Sequence, residues 1–245
     1  ADDLADEIDN PQQSLTLLEW WETLLVDCYR GRARHPVFVA LAETIEALDI
    51  PAEPFLDLLT AFRHDQHQRR YETFEHLLGY CGKSANPVGR LVLYLGRCHN
   101  QQTVALSDRI CTGLQLANFC QDVARDFDRG RIYVPQESRH RFGCDETIFE
   151  RRECNEAFRQ LMAFEVQRAE TYLKSGLPLL DHVPRHLLVT VDLFVQGGLL
   201  TVEKIRRLDF DVWTRRPTVG KFDKLGLLIR AWWRGRRVGA GGSYG

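Results

Sequence analysis

Strand signals are almost absent from this sequence, and helical periodicity runs through nearly all of it. No GxGxxG follows a strand, so nothing points to a nicotinamide-binding domain. An excess of charge of one sign is missing too. The 32 basic and 34 acidic residues leave a net charge of −2, which gives no reason to expect nucleic acid as a partner. No apolar run reaches the roughly 18 residues of a membrane-spanning helix, and no secretory signal opens the chain. The seven cysteines are scattered and none forms a CxxC pair, which argues against a zinc site. Several fall in apolar helical patterns, where a reduced cysteine behaves as a small hydrophobe, so the expected setting is reducing and cytoplasmic. Repeats and low-complexity linkers are also missing.

What is present is enough for one sizeable core: 245 residues, 44% of them hydrophobic. Phe38, Leu41, Ile45 and Leu48 mark one helix, and "EPFLDLLTAFRHDQHQRRY" from Glu53 marks another. "NPVGRLVLYLG" reads as a buried helix opened by Pro87, and "TVALSDRICTGLQLANFCQDVARDF" as one long helix stopped near Gly130. "CNEAFRQLMAFEVQRAETYLKSG" closes at Gly176, and "PRHLLVTVDLFVQGGLLTVEKIRRL" predicts a last long helix with a break at Gly197-Gly198. The main loops are "ALDIPAEP" and "RGRIYVPQESRHRFG". The expectation is an all-α bundle forming a single domain over residues 1–238, with 239–245 a flexible tail. Because the sequence begins at Ala1, the natural chain is expected to start earlier.

The acids come in two sets. Gln115, Asn118, Asp122 and Asp126 follow one another at steps of three, four and four, a continuous oxygen-bearing stripe on a helix. Like charges so spaced cost an isolated helix about 0.2–0.5 kcal/mol, so something should compensate. Asp2 and Asp6, in "ADDLADEID", repeat the Asp-x-x-x-Asp spacing. Two such helices facing one another would concentrate four carboxylates that stay ionised only with cations between them. Mg²⁺ typically takes one or two carboxylates plus substrate phosphates and water, so the pattern suits a metal–diphosphate site. The plainer alternative is a solvated face with Arg125 and Arg129 as partners.

In combination these motifs are specific. "DDLADE", "YCGKSANPVG", "LQLANFCQDVARDFDRGRIYVPQE" and "LDFDVWTRRPTV" resemble segments of the squalene/phytoene synthase family over residues 1–225. The resemblance implies an all-α isoprenoid-synthase helical bundle around a central apolar cavity, acting on prenyl diphosphates. "DDLADE", "SANPVGRLVL" and "NFCQDVxxDxxRGRIY" look most like the hydroxysqualene synthase branch of bacterial hopanoid pathways. That branch converts presqualene diphosphate and water to hydroxysqualene and diphosphate. Alternatives are a coupling enzyme that joins two farnesyl or longer prenyl diphosphates (a presqualene diphosphate, squalene or phytoene synthase) and, in another class, a non-catalytic scaffold or assembly relative. Relatives carry a further helix before the first motif, and the expectation is that the corresponding segment of the natural chain precedes Ala1.

By the same resemblance, Asp2, Asp6, Asp122 and Asp126 would bind two or three Mg²⁺ ions bridging to diphosphate, with Asp3 in support and no NADPH required. Gln115 and Asn118 would bond diphosphate or the metal's water shell, and Arg215, or else Arg216, would hold diphosphate. Tyr80 would line the pocket and stabilise a carbocation with its ring. Ser84 and Asn86 stand where relatives are apolar and small, and could supply the polar partners of a reacting water. Asn86 could equally cap the helix that Pro87 opens. "RHDQHQRRY", with His64, Asp65 and His67, reads as a polar helix face rather than a metal site. The C-terminal "GKFDKLGLLIRAWWRGRR" mixes basic residues with Trp232 and Trp233, which suits either peripheral contact with the inner face of a membrane or a cap on the core. Other enzymes of the same pathway are further candidate partners.

Overall fold

Helix starts are set by local capping. Asn10 caps α2 (Pro11–Tyr29) through the backbone N–H groups of Gln12 and Gln13, with proline at the first helical position. Thr73 caps α5 (Phe74–Ser84), Asn100 and Thr103 form a capping box on α7 (Gln101–Gln121), and Asn155 caps α11 (Glu156–Gly176). This is a computed structural model, which describes residues 2–6, 8, 10–220 and 223. The remaining helices are α1 (Asp2–Asp6), α3 (Pro36–Leu48), α4 (Glu53–Asp65), α6 (Asn86–Leu95), α8 (Val123–Asp128), α9 (Gln136–Arg141), α10 (Glu146–Glu150) and α12 (Arg185–Arg207). A 3₁₀ turn, Leu177–Asp181, follows α11. Among the described residues the only strand-like pairing is one parallel bridge, Arg70 to Ile132. The fold is all-α, as expected.

The core is built on α11. Phe158, Leu161, Met162, Val166, Ala169 and Leu173 are fully buried, a helical stripe facing α7 and α12. Truncating any one of the larger residues to alanine should cost about 2–5 kcal/mol. Leu173 sits where the three helices meet. A Cβ at Gly113 of α7 would come within 2.8 Å of Leu173, and one at Gly198 of α12 within 3.0 Å. The glycine pair at 197–198 therefore marks a close crossing, and α12 runs through it without the predicted break.

Other boundaries differ from expectation. The long helix predicted up to Gly130 is divided at Asp122 into α7 and α8. Helix α4 ends at Asp65, so "QHQRRY" is a connection rather than a helix face. Helix α6 buries only Asn86, Pro87 and Leu93, and leaves Val88 and Leu95 exposed. Although no uninterrupted apolar run is long, α12 is by length and composition apolar enough to cross a bilayer, with a mean hydropathy of 1.3 over its most apolar window. Against that, it carries the buried Asp192 and packs on α7 and α11.

Two bonds seat the first acidic helix. The buried Gln66 donates from Nε2 to the Ala5 carbonyl at 3.0 Å, and Ser14 Oγ donates to the Leu4 carbonyl at 2.7 Å. The backbone of α1 is thereby held at the C-terminal end of α4, beside Asp65. The side chains of Asp2 and Asp6 lie outside the described residues, as do the basic and tryptophan-bearing stretch from 224 onward and the 239–245 tail.

Candidate active site

Asp122 leaves helical geometry (φ −106°, ψ 15°), yet bonds continue on both sides of it. Its N–H donates to the Asn118 carbonyl and its own carbonyl accepts from Asp126 N–H, both at 2.9 Å. The stripe from Gln115 to Asp126 therefore survives the break, and all four side chains line one polar pocket of about 320 Å³. Opposite them stand Asp65 from the end of α4 and Tyr80 and Ser84 from α5. Arg125, Arg129 and Arg131 complete the polar wall, and Phe62, Phe119 and Tyr133 the apolar one.

The segment after α8 is placed by its backbone. Gly130 turns the chain at φ +73°, Arg131 N–H returns to the Asp126 carbonyl at 2.8 Å, and Ile132 N–H bonds the Arg69 carbonyl at 2.9 Å. Tyr133 then stacks on Phe119 with ring centroids 3.9 Å apart. Tyr80 lies against both rings and against His64. The Tyr80 hydroxyl donates to Asp65 Oδ2 at 3.0 Å. Burial pushes its phenol far above the usual range, and the neighbouring Asp65 charge pushes it the same way, so Tyr80 stays protonated. Burial raises the Tyr133 phenol to about 12. The result is a box of neutral ring faces next to the acids, suited to a passing cation.

Asp126 is the strained acid. Burial, and then the charge of Asp122, raise its carboxyl to about 7, and Arg131, Arg129 and Arg125 only partly oppose this. Asp122 is better compensated: the Arg216 guanidinium forks onto both of its oxygens, with Nη2–Oδ2 at 3.0 Å, and Arg125 stands 4.0 Å away. Of the two arginines the sequence offered, Arg216, the second choice after Arg215, is the one that reaches Asp122. The backbone just beyond it is tied to α7, where Gln121 donates to the Pro217 carbonyl.

No group of three His, Cys, Asp or Glu side chains among the described residues forms a metal site. Asp122 and Asp126 nevertheless fit a hard cation brought in by a phosphate. Both are oxygen donors lining one pocket, and Asp126, raised first by burial and then by the Asp122 charge, would be relieved by a cation beside it.

Ser84 and Asn86, expected to act together, are separated. Ser84 lines the pocket, whereas Asn86 does not and instead accepts the Thr112 hydroxyl at 3.0 Å. Nor does Asn86 cap α6: it is the first helical residue and makes no capping bond. Asp65, read as part of a polar helix face, is a pocket residue. Phe119 and Tyr133, both inside "LQLANFCQDVARDFDRGRIYVPQE", are pocket residues that the helical spacing of the acids and amides did not single out.

A second cavity of about 550 Å³ shares Asn118 with the polar pocket as a lining residue. It is an apolar cleft between α7 and α12, lined by Leu114, Ala117, Leu193, Phe194, Gly197 and Val219 among others. Phe194 is 58% exposed, a large apolar ring left at the open side of the cleft.

The sequence model of squalene/phytoene synthase matches residues 1–223. A 15-cis-phytoene synthase of Synechocystis sp. is 32% identical, with 93% of this chain and 72% of the relative covered. A phytoene synthase of Arthrospira platensis is 31% identical over 94% of this chain and 79% of its own length. Among solved structures, the squalene synthase HpnC from Alicyclobacillus acidocaldarius is 39% identical with a TM-score of 0.82, covering 85% of this chain and 79% of that one. A dehydrosqualene synthase in complex with ligand, 23% identical with a TM-score of 0.86 and covering 95% of this chain and 81% of its own, shares the fold.

Proposed function

The chain belongs to the squalene/phytoene synthase family, and from that premise we propose that it converts presqualene diphosphate and water to hydroxysqualene and diphosphate, as a Mg²⁺-dependent cytoplasmic enzyme. The observation that carries this reading is that two unlike cavities lie side by side and share Asn118 in their linings. One is acidic and arginine-lined and the other apolar, which matches a molecule with a diphosphate head and a long hydrocarbon body.

Bound Mg²⁺ would neutralise the diphosphate and make it a better leaving group. Asp122 and Asp126 would hold it, together with Asp2 and Asp6. Arg125, Arg129 and Arg131 offer charge-assisted donors to the diphosphate oxygens, and Gln115 and Asn118 offer amides. Tyr80, Phe119 and Tyr133 present ring faces to the cation left behind. The Asp65 carboxylate fixes the Tyr80 hydroxyl and keeps its ring in place. The apolar cleft excludes water from the hydrocarbon and limits where a cation can be intercepted.

The 39% identity to a squalene synthase, against 32% to a phytoene synthase, favours C30 chemistry. The second reading is a coupling enzyme that joins two prenyl diphosphates, and the names of the phytoene synthase relatives favour it. The two readings separate in one assay. The protein is incubated with Mg²⁺ and no NADPH, in parallel with presqualene, farnesyl or geranylgeranyl diphosphate, and products are identified by mass spectrometry. Hydroxysqualene from the first substrate supports the proposal. Presqualene diphosphate from farnesyl diphosphate, or phytoene from geranylgeranyl diphosphate, with no alcohol from presqualene diphosphate, would replace it. The basic C-terminal stretch is assigned by the same reading to peripheral membrane contact, and vesicle flotation with anionic lipid tests that separately.

A further inference from the structure

Ser84 is the last residue of α5, one turn beyond Tyr80, and its hydroxyl is buried in the pocket wall without a hydrogen-bond partner among the described residues. A buried hydroxyl left unpaired costs about 1–3 kcal/mol, and folded proteins generally satisfy such groups with a neighbour or an ordered water. The surrounding wall narrows the choice. Phe62 and Phe119 offer rings, and Tyr80 already gives its proton to Asp65. Asn86, two residues away, accepts the Thr112 hydroxyl and is not a lining residue of the pocket. Among the charged and polar side chains that line the same pocket, Gln115 and Asn118 on α7 offer neutral amides. A water needs two or more polar partners to be held, and Ser84 with one of these amides supplies them.

We propose that Ser84 is the positioning residue for the water that ends the reaction, and therefore decides between an alcohol and a hydrocarbon product. This inference rests on the water-using reading above and deepens it. The carbon–oxygen bond to diphosphate breaks with its electron pair leaving on diphosphate, and the cation rearranges beside the rings. The water oxygen then forms the new carbon–oxygen bond, and its proton passes to a departing diphosphate oxygen. No oxidant or reductant is consumed. With the Ser84 hydroxyl gone, the same cation would lose a proton from an adjacent carbon to diphosphate and leave as a hydrocarbon. Ionisation, which depends on the acids and arginines, would proceed unchanged.

The test compares wild-type protein with Ser84→Ala, Ser84→Val and Ser84→Thr, using presqualene diphosphate and Mg²⁺. Diphosphate release and the alcohol fraction of C30 products are measured separately. In Ser84→Ala and Ser84→Val the alcohol fraction should fall about tenfold or more while diphosphate release stays within about threefold. Ser84→Thr, which keeps the hydroxyl, should restore the alcohol. An unchanged alcohol fraction in the alanine and valine variants overturns the assignment. So does a loss of diphosphate release in step with the alcohol, which would make Ser84 a structural or ionisation residue. Absence of alcohol from the wild type is a distinct result: it removes the water-using reading and the Ser84 proposal with it.

Discussion

Asp126→Asn in metal-free protein tests the electrostatic account of the pocket most directly. The Asp126 carboxyl is raised from 3.8 to about 7 by burial and by Asp122. Between those two values the folded state binds more protons than the unfolded state, so stability falls as pH rises through the window and levels off above about 7. A shift of about 3 units corresponds to about 4 kcal/mol at 1.36 kcal/mol per unit. Screening at a pocket open to solvent reduces that to about 2 kcal/mol. Asparagine keeps the shape and removes the charge. In EDTA, urea unfolding should find the variant about as stable as wild type near pH 4. It should be more stable by about 2 kcal/mol at pH 8, or about 4–8 °C in Tm for a chain of this size. Mg²⁺ with inorganic diphosphate should then stabilise the wild type at pH 8 and leave the variant nearly unmoved. Equal pH profiles for the two proteins in EDTA would refute the account, because burial beside Asp122 would then cost Asp126 nothing.

The two neighbouring arginines make a sharp pair. Arg216→Gln should raise the inhibition constant for inorganic diphosphate about tenfold or more, while Arg215→Gln should leave it within about twofold; the reverse ordering would restore the assignment read from sequence. Tyr80→Phe leaves the ring but strips Asp65 of its 3.0 Å donor. It should cost about 1–3 kcal/mol in denaturant unfolding, with kcat falling about tenfold or more, and a variant with wild-type kcat would show that the hydroxyl only fills space.

Much of the site was legible because its signal is local. Gln115, Asn118, Asp122 and Asp126 sit at helical spacing within one stretch, and the bonds either side of Asp122 keep that spacing across a break that no propensity announces. What could not be read depends on where segments meet. Asp65 faces the pocket because α4 stops there, and Gln66 then turns inward to bond Ala5. Arg216 rather than Arg215 reaches Asp122 because the chain after Trp213 is pinned to α7 at Pro217. Two adjacent arginines in a loop carry no periodicity that would tell them apart. Tyr133 enters the aromatic box through backbone bonds from Ile132 to Arg69 and from Gln136 to Tyr71, pairings between segments some sixty residues apart. Ser84 and Asn86 look like one motif in sequence. The end of α5 and the start of α6 point them into different surroundings, one to the pocket and the other to Thr112.

The pair Gly197 and Gly198 separates packing from substrate fit within two adjacent residues. A Cβ at Gly198 would lie 2.8 Å from Leu114 Cδ2 and 3.0 Å from Leu173 Cδ1, so both leucines must shift, and Leu173 is fully buried where three helices meet. Gly198→Ala should therefore cost about 1–3 kcal/mol in unfolding, despite the better helix propensity of alanine. A Cβ at Gly197 meets nothing within 4 Å, and the residue lines the apolar cleft. Gly197→Leu should leave Tm unchanged or raised by the helix propensity it gains, about 0.8 kcal/mol. The leucine would occupy cleft volume where the hydrocarbon body is placed. KM for presqualene diphosphate should then rise about tenfold or more, while inhibition by inorganic diphosphate, which needs only the polar pocket, stays as in the wild type. Were Gly197→Leu to turn over presqualene diphosphate normally, the hydrocarbon would have to lie elsewhere, and the sharing of Asn118 by the two cavities would lose its functional meaning. Were diphosphate inhibition to weaken in parallel with KM, the two cavities would be acting as one site, and the division of labour between head and body would be wrong.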